Sequence, residues 1–364
     1  MVDLSVRIND ILFPNPVLTA AGPNVRTGRL MRLAAEGGAG GIVAKTVSRK
    51  AAADTRPTIR GVALRGLVNS ETWSEIPVES FLAELVEAKS AGVPLIASVG
   101  YSPEDVAVLG RLIEREVGPA AIEFSTHYSG NDIEPLLDVA RSLREAVSLP
   151  IWMKVSPATP RIEQLAIEAS KVVDAFVAIN SFGPVLDFDP AHPAARLGTK
   201  DGSGWLSGPP IRTMALQIVH TISRVQTKPV IGVGGVEAGE DGVKLMMAGA
   251  SAVQVCTAAI RKGHAVYGRI AAEMESWMER YGYSAARRLC GVYKPSATDP
   301  AMSYIMTVDT RACTGCRACI SHCVQGALEM REEKASVIPD RCIACGYCQD
   351  WCPTEALSLK EQKQ

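Results

Sequence analysis

The sequence predicts an α/β protein in which an eight-stranded (β/α)8 TIM barrel precedes a small α+β domain. Three observations say so. A short apolar run rich in Val, Ile and Ala, a Gly or polar turn and a helix-periodic stretch follow one another eight times between residues 15 and 260. Past residue 305 that rhythm stops and cysteines dominate. A length of 364 residues, 47% hydrophobic and 21% charged, leaves room for one large core and a small second one.

The eight runs begin "VLTAA" at 17, "GIVAK" at 41, "PLIASVG" at 94, "AIEFS" at 121, "PIWMKV" at 150, "AFVAIN" at 175, "PVIGVGG" at 229 and "AVQVCTA" at 252. Near-continuous apolar runs suit strands buried on both faces, and amphipathic stretches such as "VESFLAELVEAKSAG" and "DVAVLGRLIEREVG" supply the crossovers of a parallel sheet. A doubly wound open sheet would want a Gly-rich turn after the first strand, and "AAGPNVRTG" is a poor G-x-G-x-x-G. Two connections, Thr46 to Pro77 and Ser181 to Pro209, are far longer than the usual few residues. Both follow strand C-termini, the face on which barrels keep their chemistry, and are read as lids or binding loops. "HAVYGRIAAEMESWMERYGY" reads as a closing helix, which gives a barrel over 1–283, a linker over 284–305 and a cysteine domain over 306–364.

The net charge of −1 offers no long-range field for phosphate backbones or anionic lipid, so nucleic acid and membrane are poor partners. "MVDLSVRINDILFPNP" has no basic stretch before an apolar run, and no segment reaches the ~20 apolar residues that span a bilayer. The chain is read as cytoplasmic.

Eight of the ten cysteines lie in two runs, and only Cys256 and Cys290 stand apart. Cys313, Cys316, Cys319 and Cys323 have the C-x2-C-x2-C-x3-C spacing, and Cys342, Cys345, Cys348 and Cys352 repeat it ahead of Pro353. This is the spacing of bacterial ferredoxins with two [4Fe–4S] clusters, in which the fourth cysteine of each run crosses to the other cube. One cluster is therefore expected on Cys313, Cys316, Cys319 and Cys352, the other on Cys342, Cys345, Cys348 and Cys323. Zinc on C-x2-C pairs would leave the third regular thiolate unexplained. Clusters move electrons singly, so the barrel should hold a group that turns them into two-electron chemistry, and a flavin is the obvious one. Gly234 and Gly235 after the seventh strand, with Cys256 and Thr257 after the eighth, suit the phosphate site that barrels keep there.

With these residues the sequence resembles the class 1 dihydroorotate dehydrogenases. With the tail included it is similar to dihydropyrimidine dehydrogenase catalytic subunits, which join an FMN barrel to a two-cluster ferredoxin domain. "FPNPVLTAAG", "GIVAKTVS", "WMKVSP", "INS", "LSGPPIRTMAL", "VIGVGGVEAGED" and "GASAVQVCTA" carry the resemblance, in order. It implies that Ala20, Ala21 and Gly22 lie against the flavin ring with Lys45 and Thr46 beside it. Lys154 would meet the negative charge of the reduced ring, the alternative being a structural ion pair. Asn180 and Ser181 would touch flavin and substrate, or simply cap a strand end. Gly208, Gly234, Gly235, Cys256 and Thr257 would hold the phosphate, mainly through backbone N–H groups. Cys256 is otherwise a small buried hydrophobe, the only reading open to Cys290.

The family signature E-L-N-x-S-C-P, whose cysteine is the acid/base, is altered here to "AIEFSTH". Glu123 replaces the asparagine, Thr126 the cysteine and His127 the proline, with Tyr128 next. Protonating a reduced C=C bond calls for a donor of pKa near neutrality, which favours His127 (reference ~6.5) over Tyr128 (~10) and Thr126. Glu123 is expected to face the substrate with Ser125, to repel a carboxylate and to prefer N–H, O–H or cationic groups. Asn69 falls at a substrate-amide position, and Trp73 is a candidate cover for the ring. The expected activity is an FMN and iron–sulfur oxidoreductase that reduces or oxidises a C=C bond of a small neutral or cationic, conjugated or heterocyclic compound. Electrons would enter from reduced ferredoxin or a separate NAD(P)H-flavoprotein subunit, and a homo-oligomer is expected. Reduction of uracil or thymine is one alternative; an electron-transfer subunit with a degenerate site is another. An RNA-modifying flavin barrel fits the near-neutral charge poorly.

Overall fold

The computed structural model describes residues 2–53, 55–71, 75–125, 131–295 and 303–362. The chain divides into two compact units, Met1–Tyr293 and Lys294–Gln364.

In the first unit all eight runs become parallel strands: β1 (Val17–Thr19), β2 (Ile42–Val47), β3 (Leu95–Val99), β4 (Ala121–Ser125), β5 (Ile151–Val155), β6 (Ala175–Ala178), β7 (Val230–Val233) and β8 (Ala252–Val255). Their spatial order is β1-β8-β7-β6-β5-β4-β3-β2. Leu18 bridges Gly41 in parallel and the Thr19 N–H donates to the Gly41 carbonyl at 3.0 Å, which closes the sheet into a barrel. Every residue of β2, β3, β4 and β5 is buried, as strands lying between a filled interior and a ring of helices require.

The ring is α1 (Gly28–Glu36), α2 (Val78–Ala88), α3 (Pro103–Glu116), α4 (Glu134–Ala146), α5 (Ile162–Ala169), α6 (Arg212–Val225), α7 (Gly239–Met247), the short α8 (Thr257–Lys262) and the closing α9 (Val266–Arg280). Helix α3 illustrates how the sequence starts them. Ser102 Oγ accepts the Asp105 N–H at 3.2 Å, Pro103 occupies the first turn, and Val106, Leu109 and Ile113 form the buried stripe.

The hairpin Val6–Ile8/Ile11–Phe13, turned by Asn9 and Asp10 at positive φ, plugs the N-terminal end of the barrel. Its Phe13 ring lies 6.3 Å from Trp152, and Asn9 Oδ1 accepts the Trp152 indole N–H at 2.8 Å. Both rings are fully buried.

The two long connections, read from sequence as separate lids, share one antiparallel sheet. Leu67–Asn69 pairs with Gly204–Ser207 in the register Trp205 to Asn69 and Ser207 to Leu67, and Ile59–Gly61 and Phe182–Val185 complete it. Residues 284–293, expected as linker, instead finish the barrel unit. Ala286 and Leu289 are fully buried in its core, and the Gly291 and Tyr293 N–H groups donate to the α7 carbonyls of Met246 and Met247.

The second unit pairs Ser303–Val308 with Leu357–Gln362 and Leu328–Arg331 with Lys334–Val337, both antiparallel, and contains the short α-helix Ala318–Ser321. No helix among the described residues is long and apolar enough to cross a membrane.

Candidate functional site

A cavity of about 480 Å³ opens at the C-terminal ends of the barrel strands and reaches the lid sheet. All thirteen residues assigned to the flavin line it: Ala20, Ala21 and Gly22 after β1, Lys45 and Thr46 on β2, Lys154 on β5, Asn180 and Ser181 after β6, Gly208 after the lid strand Gly204–Ser207, Gly234 and Gly235 after β7, and Cys256 and Thr257 after β8. Asn69 and Ser125 line it too. Gly234 and Gly235 have φ of +131° and +76°, conformations that side chains rarely adopt. A Cβ on Gly235 would stand 2.9 Å from the Gly208 carbonyl. Only bare backbone fits this turn, which is the construction an approaching phosphate needs.

Glu123 is a correction. It does not line the cavity; it is fully buried one layer below Ser125, inside the barrel. The Lys154 ammonium donates to Glu123 Oε1 at 3.1 Å and to Gln254 Oε1 at 3.3 Å, and the Gln254 amide donates to Glu123 Oε2 at 2.7 Å. Strands β4 and β8 are not neighbours in the sheet, so the Glu123–Gln254 bond crosses the interior. Residues 123 and 125 point to the same face of β4, and depth along the strand decides which meets the cavity. A carboxylate engaged in this way neither repels nor greets a substrate. Lys154 is held in an ion pair while lining the cavity.

Lys45 Nζ sits 3.4 Å from Glu71 Oε2, a residue at the lid edge that the sequence reading passed over. Lys45, Glu71 and Lys154 are the only charged side chains among the described lining residues, and Trp205 is the only aromatic one. Asn69 donates its amide to the Trp205 carbonyl at 3.2 Å, and Asn180 Oδ1 accepts the Ser181 N–H at 2.8 Å, so each braces the site as well as facing it. Burial pushes the Cys256 thiol up to about 11, which keeps it protonated and unreactive near neutral pH. Trp73, Thr126, His127 and Tyr128 lie outside the described residues. Gln254, the third member of the buried triad, was signalled only by being a polar residue within an apolar strand.

In the second unit each expected ligand set rings a hollow. Cys313, Cys316, Cys319 and Cys352 line one; Cys342, Cys345, Cys348 and Cys323 line the other. No three His, Cys, Asp or Glu among the described residues group as a site for a single metal ion. The thiols surround a space, as a cube's corners demand. The Ala327 N–H donates to Cys323 Sγ and the Ala356 N–H to Cys352 Sγ, both at 3.2 Å, so the two crossing cysteines are held alike. Burial, then the neighbouring Cys352, Cys313 and Cys316, raise the Cys319 thiol above its usual range. Bound iron relieves that crowding of like charge.

A family model described as dihydroorotate dehydrogenase matches residues 3–278. The chain belongs to the dihydroorotate dehydrogenase family. A second model, a 4Fe-4S dicluster domain, matches residues 312–362. The catalytic subunit of dihydroorotate dehydrogenase B (NAD(+)) of Pyrococcus furiosus is 31% identical over 304 residues, 80% of this chain and 99% of its own length. That of Methanosarcina acetivorans is 34% identical over 293 residues, 76% of this chain and 92% of its own. As a member of this family with a dicluster tail, the chain is a flavin-dependent oxidoreductase of CH–CH bonds whose cofactors are FMN and two [4Fe–4S] clusters.

Proposed function

We propose that this dihydroorotate dehydrogenase family member exchanges two electrons and two protons with a C=C bond of a small neutral or cationic, conjugated or heterocyclic compound. The observation that carries the substrate class is the charge balance of the cavity. Lys45 is matched by Glu71 and Lys154 by Glu123, so neither cation is left to receive a substrate carboxylate. Uracil and thymine belong to the same neutral class. FMN, when bound, couples the one-electron clusters to two-electron chemistry.

The residues of the chain divide the remaining work. Ala20, Ala21, Gly22, Lys45, Thr46 and Lys154 seat the flavin ring, while Gly208, Gly234, Gly235, Cys256 and Thr257 hold its phosphate. Asn69, Ser125, Asn180 and Ser181 orient the substrate by hydrogen bonds. His127, which follows the cavity residue Ser125 by two positions, delivers the proton, with Tyr128 and Thr126 as the alternatives. The two cysteine sets hold the clusters, and the electrons come from reduced ferredoxin or from a separate NAD(P)H-flavoprotein subunit. The relatives, catalytic subunits of an NAD(+) enzyme, support the second source.

The test is to photoreduce the holoenzyme under argon and add candidate oxidants. Neutral heterocycles should reoxidise the flavin and orotate should not. Rapid reoxidation by orotate removes the substrate class, and no reoxidation by any small molecule leaves an electron-transfer subunit. His127→Ala should keep FMN and iron and lose about 10²- to 10⁴-fold in turnover; normal turnover would remove His127.

A further inference from the structure

We infer that Glu123 sets how readily the flavin accepts electrons, by cancelling the charge of Lys154 in the cavity wall. The inference rests on the proposed seat of FMN in the barrel cavity.

The geometry of the triad leaves little freedom. Glu123, Lys154 and Gln254 are 0%, 4% and 1% exposed, so water does not screen them. Both Glu123 oxygens are taken, one by the Lys154 ammonium at 3.1 Å and the other by the Gln254 amide at 2.7 Å. Gln254 Oε1 takes a second ammonium proton at 3.3 Å. The third is left for the cavity, whose wall Lys154 forms. Glu123 is therefore bonded to face the lysine and cannot swing toward a ligand.

A lone ammonium at that wall would stabilise any ring that becomes electron-rich on reduction, since a charge acts strongly where the surroundings are dry. A carboxylate 3.1 Å away turns the lone charge into a neutral pair whose field falls off much faster with distance. The ammonium would still have a proton to offer a ring seated there, while most of its electrostatic pull is cancelled. The flavin is then a stronger reductant than the lysine alone would make it. Such a centre suits a weakly activated C=C bond and accepts electrons only from a strongly reducing donor. A purely structural role for the pair, holding β4 to β5 and β8, would leave the electron affinity of the flavin unchanged when the charge is removed.

The experiment is a dye-equilibrated reductive titration of the holoenzyme, with flavin absorbance read apart from the cluster signals followed by electron paramagnetic resonance. Glu123→Gln keeps the shape and the acceptor for the Lys154 ammonium, turns the position facing the Gln254 amide from acceptor to donor, and removes the charge. It should make the flavin easier to reduce by tenfold or more in the two-electron equilibrium, an upward shift of about 30 mV or more, with the cluster potentials unmoved. Glu123→Asn, a shorter neutral amide, should shift in the same direction. An unchanged or lowered flavin potential in variants that retain FMN and iron overturns the inference while leaving the seat of FMN intact. If both variants lose FMN and the wild type keeps it, the pair is structural and the inference also falls. A wild-type protein that takes up clusters but no FMN overturns the reading of the cavity, and this inference with it.

Discussion

The barrel unit and the tail are built on opposite economies of burial. The barrel encloses Trp152, Tyr267, Phe13, Phe81, Phe124 and Phe176 with no exposed surface, inside one continuous core. Among the described residues, the buried apolar set of the tail is Met306, Ala327, Leu328, Ala335, Ala356 and Leu357 together with Cys313, Cys319 and Cys348. A unit with so few apolar side chains falls short of the conformational entropy it must overcome, and small domains of this kind are completed by metal or disulfide. The lesson is that a cofactor can be a guest in one half of a protein and masonry in the other. On the proposed seat, FMN enters a cavity whose walls already stand, whereas the clusters supply part of the core that surrounds them.

Four outcomes break or sharpen that contrast. The largest is expected on stripping the iron anaerobically with a chelator. Hydrogen exchange should lose protection throughout 303–362 and keep it over the barrel strands; a tail that stays protected without iron would end the contrast. Next is Trp152→Ala, which opens a cavity against Phe13 and leaves Asn9 Oδ1 without its donor. It should cost the barrel about 3–5 kcal/mol by denaturant unfolding and leave the iron content as it was. Smaller again is Glu71→Gln. Removing the carboxylate beside Lys45 should strengthen binding of a carboxylate-bearing substrate analogue about tenfold, measured as Kd by flavin fluorescence, worth about 1.4 kcal/mol.

The smallest separates the two kinds of cysteine. The raised Cys256 thiol means the folded barrel binds this proton more tightly than the unfolded chain, whose thiol titrates near 9. That contribution is complete below pH 9 and fades as pH rises toward 11, so stability should fall with pH over that window. Cys256→Ala should flatten the fall and cost about 1 kcal/mol at neutral pH, with no change in the cluster spectra. A steeper decline in the variant would show that the thiol is not the group responsible.

The same contrast explains what the sequence disclosed. The strands of the barrel were readable because each is an unbroken apolar run, and the cluster ligands because their spacing is local, three residues apart. Gly234 and Gly235 followed from position within the eight units, and Gly22, Gly208 and Lys154 from the family resemblance. The pairing of the lids was not readable, because Asn69 and Trp205 meet across 136 residues of chain with no local pattern to announce it. Nor was the depth of Glu123. Alternation along β4 puts residues 123 and 125 on one face, but only the register, which sets Ser125 beside Lys154 and Glu123 beside Trp152, tells which is nearer the mouth. Glu71 escaped for the same reason as the lid pairing, since its partner Lys45 belongs to a strand that precedes the whole connection.

Because Cys352 completes the hollow begun by Cys313, Cys316 and Cys319, and Cys323 completes the one begun by Cys342, neither cube belongs to the stretch of chain that names it. On the ribosome the earlier triplet must wait, three ligands in hand, until 33 further amino acids have been added. A protease nick just ahead of Cys352 would disable the first cube and spare the second, the reverse of what a linear map suggests.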